Sequence, residues 1–332
     1  MPEFRQNRAT KEWIIIARER AKRPDQFKSR RDRKKVVPRF DPECPFCPGS
    51  ESKTPSEVFS LTKGEKWQVR VIPNKYPALA PEGQFLMQSE GFFIKTGGIG
   101  YHEVIIESPL HNQPLARLPL AAVENVCLAY RQRYLDLEED KRVKLIIIFE
   151  NHGESAGTSL IHPHSQLVGL PLVPASIRHL LEEAMRYYDD HGHCVFCDMV
   201  REELRVDKRV IAETEDFVAF HPFASRSPFE TWIVPLKHNA TFGSITPTDC
   251  KKMARMLKSV LGSLDRSLDD PDYNLLIRTA PVKDREEDYY HWHVQILPRL
   301  TTPAGFELGS GIFINTVFPE HTADFLKARQ SK

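Results

Sequence analysis

His162-Pro163-His164-Ser165-Gln166 and His291-Trp292-His293-Val294-Gln295 repeat one pattern, His-x-His-x-Gln, at a separation of 129 residues. Each adjoins a run of strand type, LVGLPLV at 167–173 after the first and VQILP at 294–298 within the second. Residues i and i+2 of a strand share a face, so each triplet can set two imidazoles and an amide on one side of a sheet. Three polar groups stacked there are costly to bury without a ligand, and the pattern points to a site.

A similar offset recurs around the triplets. His111 and His238 lie 127 residues apart, each closing an apolar strand, HEVIIESPLH at 102–111 and TWIVPLKH at 231–238. Cys44-Pro-Phe-Cys47 and Cys194-Val-Phe-Cys197 lie 150 residues apart, so the first half carries some 23 more residues between its CxxC and His111 than the second between its CxxC and His238. Amphipathic helices are expected over about 119–137 and 247–264, the second opening on Thr246 as N-cap with Pro247 at the first helical position. Buried strands are expected at LIIIFE (145–150) and YNLLIRT (273–279). The chain reads as α+β, two tandem repeats over 1–173 and 174–332, each a mostly antiparallel sheet with helices on one side.

Two thiolates separated by two residues hold one tetrahedral zinc from a tight turn and leave two positions for ligands from elsewhere. Two histidines per half complete that count. The expected shells are Cys44, Cys47, His111, His162 and Cys194, Cys197, His238, His291. Up to two zinc ions per chain follow, both structural because four protein ligands leave no position for activated water. A redox pair is the other use of a CxxC. His164 and His293 stay free of these shells. Cys127 falls on the helical stripe Val123, Val126, Cys127, Tyr130, Tyr134, Leu137, and Cys250 falls with Met253, Met256, Leu257, Val260, Leu261 and Leu264. Both read as buried, inert thiols.

Composition narrows the class. The 332 residues carry 46 Lys+Arg against 45 Asp+Glu, a net charge of +1, with 41% hydrophobic and 27% charged residues. That is globular composition, not disordered or fibrous. No apolar run reaches the roughly 18 residues of a membrane helix, and the first 20 residues lack the apolar stretch of a signal peptide, so a cytoplasmic protein is expected. Residues 18–35 hold ten Lys/Arg and three acids, which raises the rival of a zinc-containing nucleic-acid-binding protein. The remaining chain then carries a net charge of −6 and offers no extended basic face. A purely structural zinc protein would leave His164 and Gln166 without a purpose.

These motifs resemble the galactose-1-phosphate uridylyltransferase family, a branch of the histidine-triad superfamily built from two such repeats. The markers run in order through nearly the whole chain: WIIIARERAKRP (13–24), CPFCPG (44–49), RVIPNKYPAL (70–79), HEVIIESPLH (102–111), FENHGESAGTSLIHPHSQ (149–166) and GFELGSGIFINTVFPE (305–320). The resemblance implies two tandem histidine-triad-like repeats and ping-pong nucleotidyl transfer through a histidine. In the transferase, UDP-glucose uridylylates the enzyme, glucose-1-phosphate leaves, and galactose-1-phosphate collects UMP. The chain is also similar to the plant-type ADP-glucose phosphorylase branch, in which inorganic phosphate accepts AMP.

By position, His164 matches the family's nucleophile and His162 the zinc ligand before it. The resemblance further implies that Arg20 and Arg23 lie near the nucleotide phosphates and that Asn74 belongs to the nucleotide pocket. Asn151 would help hold the phosphorylated histidine loop, Ser159 would donate to the phosphates, and Gln166 would bond the nonbridging oxygens of the α-phosphate. Glu307 matches a hexose hydroxyl acceptor, with Asn315 as a second candidate. His293 would be a relic of the duplication, and a homodimer is implied. Pro163 at the triplet centre is as in the transferases, whereas the plant branch tends to carry Ser; TTPA before Gly305 lacks the Lys-Phe pair of the bacterial transferases.

Overall fold

A computed structural model describes residues 1–17, 27 and 37–330. The first half contributes β3 (Phe59–Lys63), β4 (Lys66–Pro73), β7 (Tyr101–Ile106), β8 (Leu145–His152) and β9 (His164–Leu170). The second contributes β10 (Val210–Glu213), β11 (Phe217–Phe220), β12 (Thr231–Pro235), β13 (Tyr273–Arg278) and β14 (His293–Pro298). All ten form one antiparallel sheet in the order β10-β11-β12-β14-β13-β8-β9-β7-β4-β3. Read from its middle outward, this order is the same in both directions. β8 and β13 pair antiparallel across the centre, Asn151 opposite Asn274, so the two repeats share one sheet instead of packing as two. Each repeat on its own would end in a long apolar edge strand, and pairing the edges removes both.

The helices α1 (Leu120–Glu138) and α4 (Pro247–Leu268) pack together over one face of the sheet. Their observed ranges match the expected ones within a turn. Thr246 Oγ1 accepts from Asp249 N at 3.1 Å, as an N-cap should. The stripe Val123, Val126, Cys127, Tyr130, Tyr134 and Leu137 is buried, at about 1.5–3 kcal/mol for each full-size apolar side chain removed from water. Cys127 and Cys250 meet there, both wholly buried. The opposite face carries the triplets. Outside the sheet, β1 (Glu3–Gln6) pairs with β2 (Trp13–Ile16), and β2 with β15 (Phe313–Asn315), which ties the two ends of the chain together. β5 (Gln88–Glu90) and β6 (Phe93–Lys95) form an exposed hairpin. The helices α2 (Ala175–His191), α3 (Val195–Val206), α5 (Gly305–Ser310) and α6 (Pro319–Gln330) complete the described chain. Among the described residues no helix is long and apolar enough to cross a membrane.

Beneath β9, on the helix side, the carboxyls of Glu107 and Glu150 are buried with no cation bonded to them among the described residues. Glu107 accepts from Ser165 Oγ, which also meets Tyr130 Oη at 2.5 Å, and Tyr273 Oη donates to Glu150 at 3.1 Å. Burial pushes Glu107 up to about 7, and burial plus the neighbouring Glu107 pushes Glu150 further still. An acid whose folded pKa is raised holds its full stability contribution below the unfolded value and loses it as pH rises through the folded one. Wild-type stability should therefore begin to fall above about pH 4.5, lose the Glu107 contribution by about pH 7, and keep falling beyond it as Glu150 titrates. Glu107→Gln, which mimics the protonated acid, should flatten the fall and be more stable than wild type at pH 8 by about 1–3 kcal/mol. Urea unfolding of both proteins at pH 5 and pH 8 checks this; parallel curves would remove Glu107 as the cause.

Candidate active site

The Cys44–Cys47 turn closes with Cys47 N donating to Cys44 O at 3.4 Å and sends both sulfurs to one side. His111 Nδ1 stands 3.6 Å from Cys47 Sγ, and His162 Nδ1 stands 3.7 and 3.6 Å from Cys44 and Cys47 Sγ. The four ligand atoms lie within 4.8 Å of one another, all on buried residues, and this cluster can hold a metal ion. His162 Nε2–H donates to Ser108 O at 2.8 Å, which leaves the Nδ1 lone pair aimed at the sulfurs. Burial holds His162 neutral, with its pKa down at about 4, and pushes the Cys44 thiol up to about 11. A bound cation reverses the pressure on the thiols. The donor set fits a metal.

The second cluster differs from expectation. Cys194, Cys197 and His238 come together, with Cys197 Sγ 3.2 Å from His238 Nδ1. His291 is stacked on His238, ring centres 5.0 Å apart, but is not a member of the group. Its Nδ1 accepts from Asn239 N at 2.9 Å and its Nε2–H donates to Pro235 O at 2.8 Å, so both ring nitrogens are taken. The expected four-ligand shell is a three-ligand cluster with its fourth histidine turned to the backbone.

His164 opens β9 immediately beyond the first cluster. Its Nδ1–H donates to His162 O at 2.9 Å, which leaves Nε2 as the ring's basic nitrogen. Burial lowers its pKa, so the ring is neutral near pH 7. Phe46, from inside the CxxC turn, packs edge-on against His162 and His164, at 6.1 and 5.3 Å between ring centres. The Cys/His turn thus buttresses the His164 ring through Phe46. Gln166 lies two residues on, on the same face, and its Oε1 is 2.8 Å from His102 Nε2.

The loop between β8 and β9 is braced by the other half of the chain. Gly153 and Gly157 flank the turn Glu154–Ala156 at φ +87° and +92°, a left-handed region where a side chain is strained. Asp272 accepts from Ser155 N at 2.7 Å, and Asn274 Nδ2 donates to Asn151 Oδ1 at 2.8 Å and to Ala156 O at 2.9 Å. Asn151 therefore holds the loop through Asn274, and Ser159 is exposed within that loop. Asn74 Oδ1 accepts from Tyr76 N, and its Nδ2 lies 3.2 Å from His102 Nε2. Glu307 caps α5 by accepting from Ala304 N at 3.0 Å. Asn315 is a correction: it is 1% exposed, with Nδ2 bonded to Ser225 O and Oδ1 to Val317 N, so neither end is left for a sugar hydroxyl. Arg20 and Arg23 lie outside the described residues, as does the basic run 18–35 apart from Phe27.

The second triplet is built from the same parts and closed. His293 Nδ1–H donates to His291 O at 3.2 Å, and Phe196 takes the place of Phe46 at 5.4 Å. Trp232, at the register position of Val104, stacks on the His293 ring at 4.4 Å. Gln295 accepts from Arg278 Nε and donates to Glu230, which also accepts from Trp232 Nε1. Arg278, Gln295, Glu230 and Trp232 are thus bonded to one another across this face. His102, Ser108 and Asn274 escaped the sequence reading; His102 alone left a signal, since it shares the period-two face of Val104 and Ile106.

Fold and site together define a duplicated α+β sheet protein in which one half pairs a Cys/His cluster able to hold a metal ion with a histidine held in a single tautomer. Residues 1–174 match the N-terminal domain model, and residues 168–309 the C-terminal domain model, of galactose-1-phosphate uridyl transferase. The chain belongs to that family of enzymes. It is 36% identical to the ADP-glucose phosphorylase of Arabidopsis thaliana, across 98% of this chain and 92% of that protein. It is 30% identical to the galactose-1-phosphate uridylyltransferase of Thermotoga maritima, across 98% of both. The solved ADP-glucose phosphorylase from A. thaliana with bound ADP-glucose aligns with a TM-score of 0.83 at 33% identity over 98% of each chain. A solved uridylyltransferase aligns at 0.77 and 28% identity, over all of this chain and 99% of the other.

Proposed function

We propose that this chain is a nucleotidyltransferase that exchanges UMP between UDP-glucose and galactose-1-phosphate through a covalent intermediate on His164. The observation that carries this reading is the fixed tautomer of that ring. Nε2 attacks the α-phosphorus, the N–P bond forms as the bond to the hexose-phosphate oxygen breaks, and glucose-1-phosphate leaves. His164 Nδ1–H keeps its bond to the His162 carbonyl, which stabilises the positive charge the ring gains. The galactose-1-phosphate oxygen then attacks phosphorus from the opposite side, and the ring leaves neutral. Gln166 donates to the nonbridging oxygens, Ser159 and the braced loop bind phosphate, Asn74 belongs to the nucleotide pocket, and Arg20 and Arg23 meet the phosphates. Glu307 receives a hexose hydroxyl.

Zinc suits both clusters. A tetrahedral ion with Zn–S about 2.3 Å and Zn–N about 2.0 Å sets sulfur and nitrogen about 3.5 Å apart. The first cluster has them at 3.6–3.7 Å. The ion would be structural there, holding the turn that carries Phe46, and His291 would complete the second shell on turning its ring. The proposal includes a cytoplasmic homodimer, each chain dividing into its two halves between residues 173 and 174.

Phosphorolysis of ADP-glucose is the second reading, favoured by the 36% identity and the TM-score of 0.83 to the plant phosphorylase. Both readings share the first step and differ in the base and in what discharges the enzyme. The test uses UDP-glucose and ADP-glucose labelled in the α-phosphate, followed by galactose-1-phosphate or inorganic phosphate. Labelling by UDP-glucose with discharge by the sugar phosphate is expected. Labelling by ADP-glucose with discharge by phosphate alone overturns the uridylyl reading in favour of the phosphorylase.

A further inference from the structure

We infer that His102 is a positioning residue that decides which end of the Gln166 amide faces the transferring phosphate. The inference rests on the nucleotidyl-transfer reading above and concerns a residue that does not itself touch substrate in that reading. Ala78 N lies 3.0 Å from His102 Nδ1, and a backbone N–H can only donate, so Nδ1 is the acceptor. The neutral ring therefore carries its proton on Nε2. Two groups lie near that nitrogen, Gln166 Oε1 at 2.8 Å and Asn74 Nδ2 at 3.2 Å. Asn74 has its oxygen on Tyr76 N and presents its amide nitrogen, which cannot accept. Nε2–H donates to Gln166 Oε1, and the Gln166 amide nitrogen is turned to the other side.

The consequence is chemical. Nonbridging phosphate oxygens are acceptors only, so the amide that meets them must present N–H. The two ends of a glutamine amide are nearly the same size, and shape alone does not choose between them. The choice comes from a chain of bonds that starts at the Ala78 amide, a group with no alternative polarity. The same ring ties three segments to one another: β7, the turn at 74–78 after β4, and β9, with Asn74 N also donating to His102 O at 2.8 Å. In the second half the Gln295 orientation is set instead by Arg278 and Glu230.

The test is a set of variants read by the single-turnover rate of covalent labelling from the α-phosphate-labelled nucleotide sugars. His102→Ala should slow labelling about tenfold to a hundredfold, with kcat falling more than KM changes, because charge on the oxygens grows in the transition state. His102→Gln, which can accept from Ala78 and donate to Gln166, should recover most of the rate. His102→Glu, nearly the same shape but acceptor only, should hold the amide the wrong way round and fall below His102→Ala. In a Gln166→Ala background, His102→Ala should cost nothing further. Additive losses, or equal rates for the Gln and Glu variants at equal melting temperature, overturn the inference; the Gln and Glu pair decides even if the alanine variant fails to fold. A wild-type protein that none of the nucleotide sugars labels overturns the nucleotidyl-transfer reading itself, and that outcome is distinct from the others.

Discussion

His164→Asn is expected to abolish covalent labelling and turnover together, by on the order of 10⁴-fold or more, as loss of a nucleophile does elsewhere. An amide nitrogen has no lone pair free to attack phosphorus, so geometry cannot compensate. The fold should survive, because His164 stands outside the metal cluster and its one described hydrogen bond is to its own backbone neighbour. His293→Asn is expected to leave labelling intact. The His293 ring lies under Trp232, and the glutamine that would serve it is engaged by Arg278 and Glu230. Mass spectrometry of the intact protein after incubation with nucleotide sugar separates the two variants. Labelling that survives in His164→Asn and vanishes in His293→Asn would exchange the roles of the halves.

That asymmetry was only partly legible in the sequence. The matched triplets, the helices and the strands LIIIFE and YNLLIRT follow from spacing and periodicity, which are local properties, and the structure places them where these put them. The closure of the second triplet depends on Trp232, 59 residues before His291 in the chain. It becomes visible only once β12 and β14 are in register. The joining of the two repeats into one sheet was likewise out of reach, since nothing in a strand's own pattern names its partner across a chain-wide pairing. Asn315 and His291 mark another limit. Residue type and position made both candidates, but a side chain's hydrogen bonds are settled by nearby backbone amides and carbonyls, which sequence spacing does not locate. His102 lay in plain view within HEVIIESPLH, yet its role depends on an amide 24 residues away.

Metal loss is expected to affect the two clusters unequally. In the first, two thiols and two imidazoles are enclosed with Phe46, Ile72, Val104 and Ile106, an apolar shell in which unpaired polar groups are costly. Its four ligands converge already, so zinc should bind it tightly and contribute several kcal/mol to folding. Cys44→Ser should lower the melting temperature by about 5 °C or more, at roughly 1.4 °C per kcal/mol for a chain of 332 residues. It should also slow labelling, because the turn that presses Phe46 on His164 loses its anchor. The second cluster has three converging ligands and must turn His291 away from Asn239 and Pro235 to gain a fourth. Its metal should leave first on dialysis against a chelator, with a smaller fall in melting temperature and little change in labelling. Elemental analysis during stepwise chelation, with melting and labelling followed on the same samples, should show two zinc ions falling to one before activity is lost. A metal-free protein with native stability and full labelling would remove the structural role assigned to Cys44, Cys47, His111 and His162, and with it the link from the metal through Phe46 to the nucleophile.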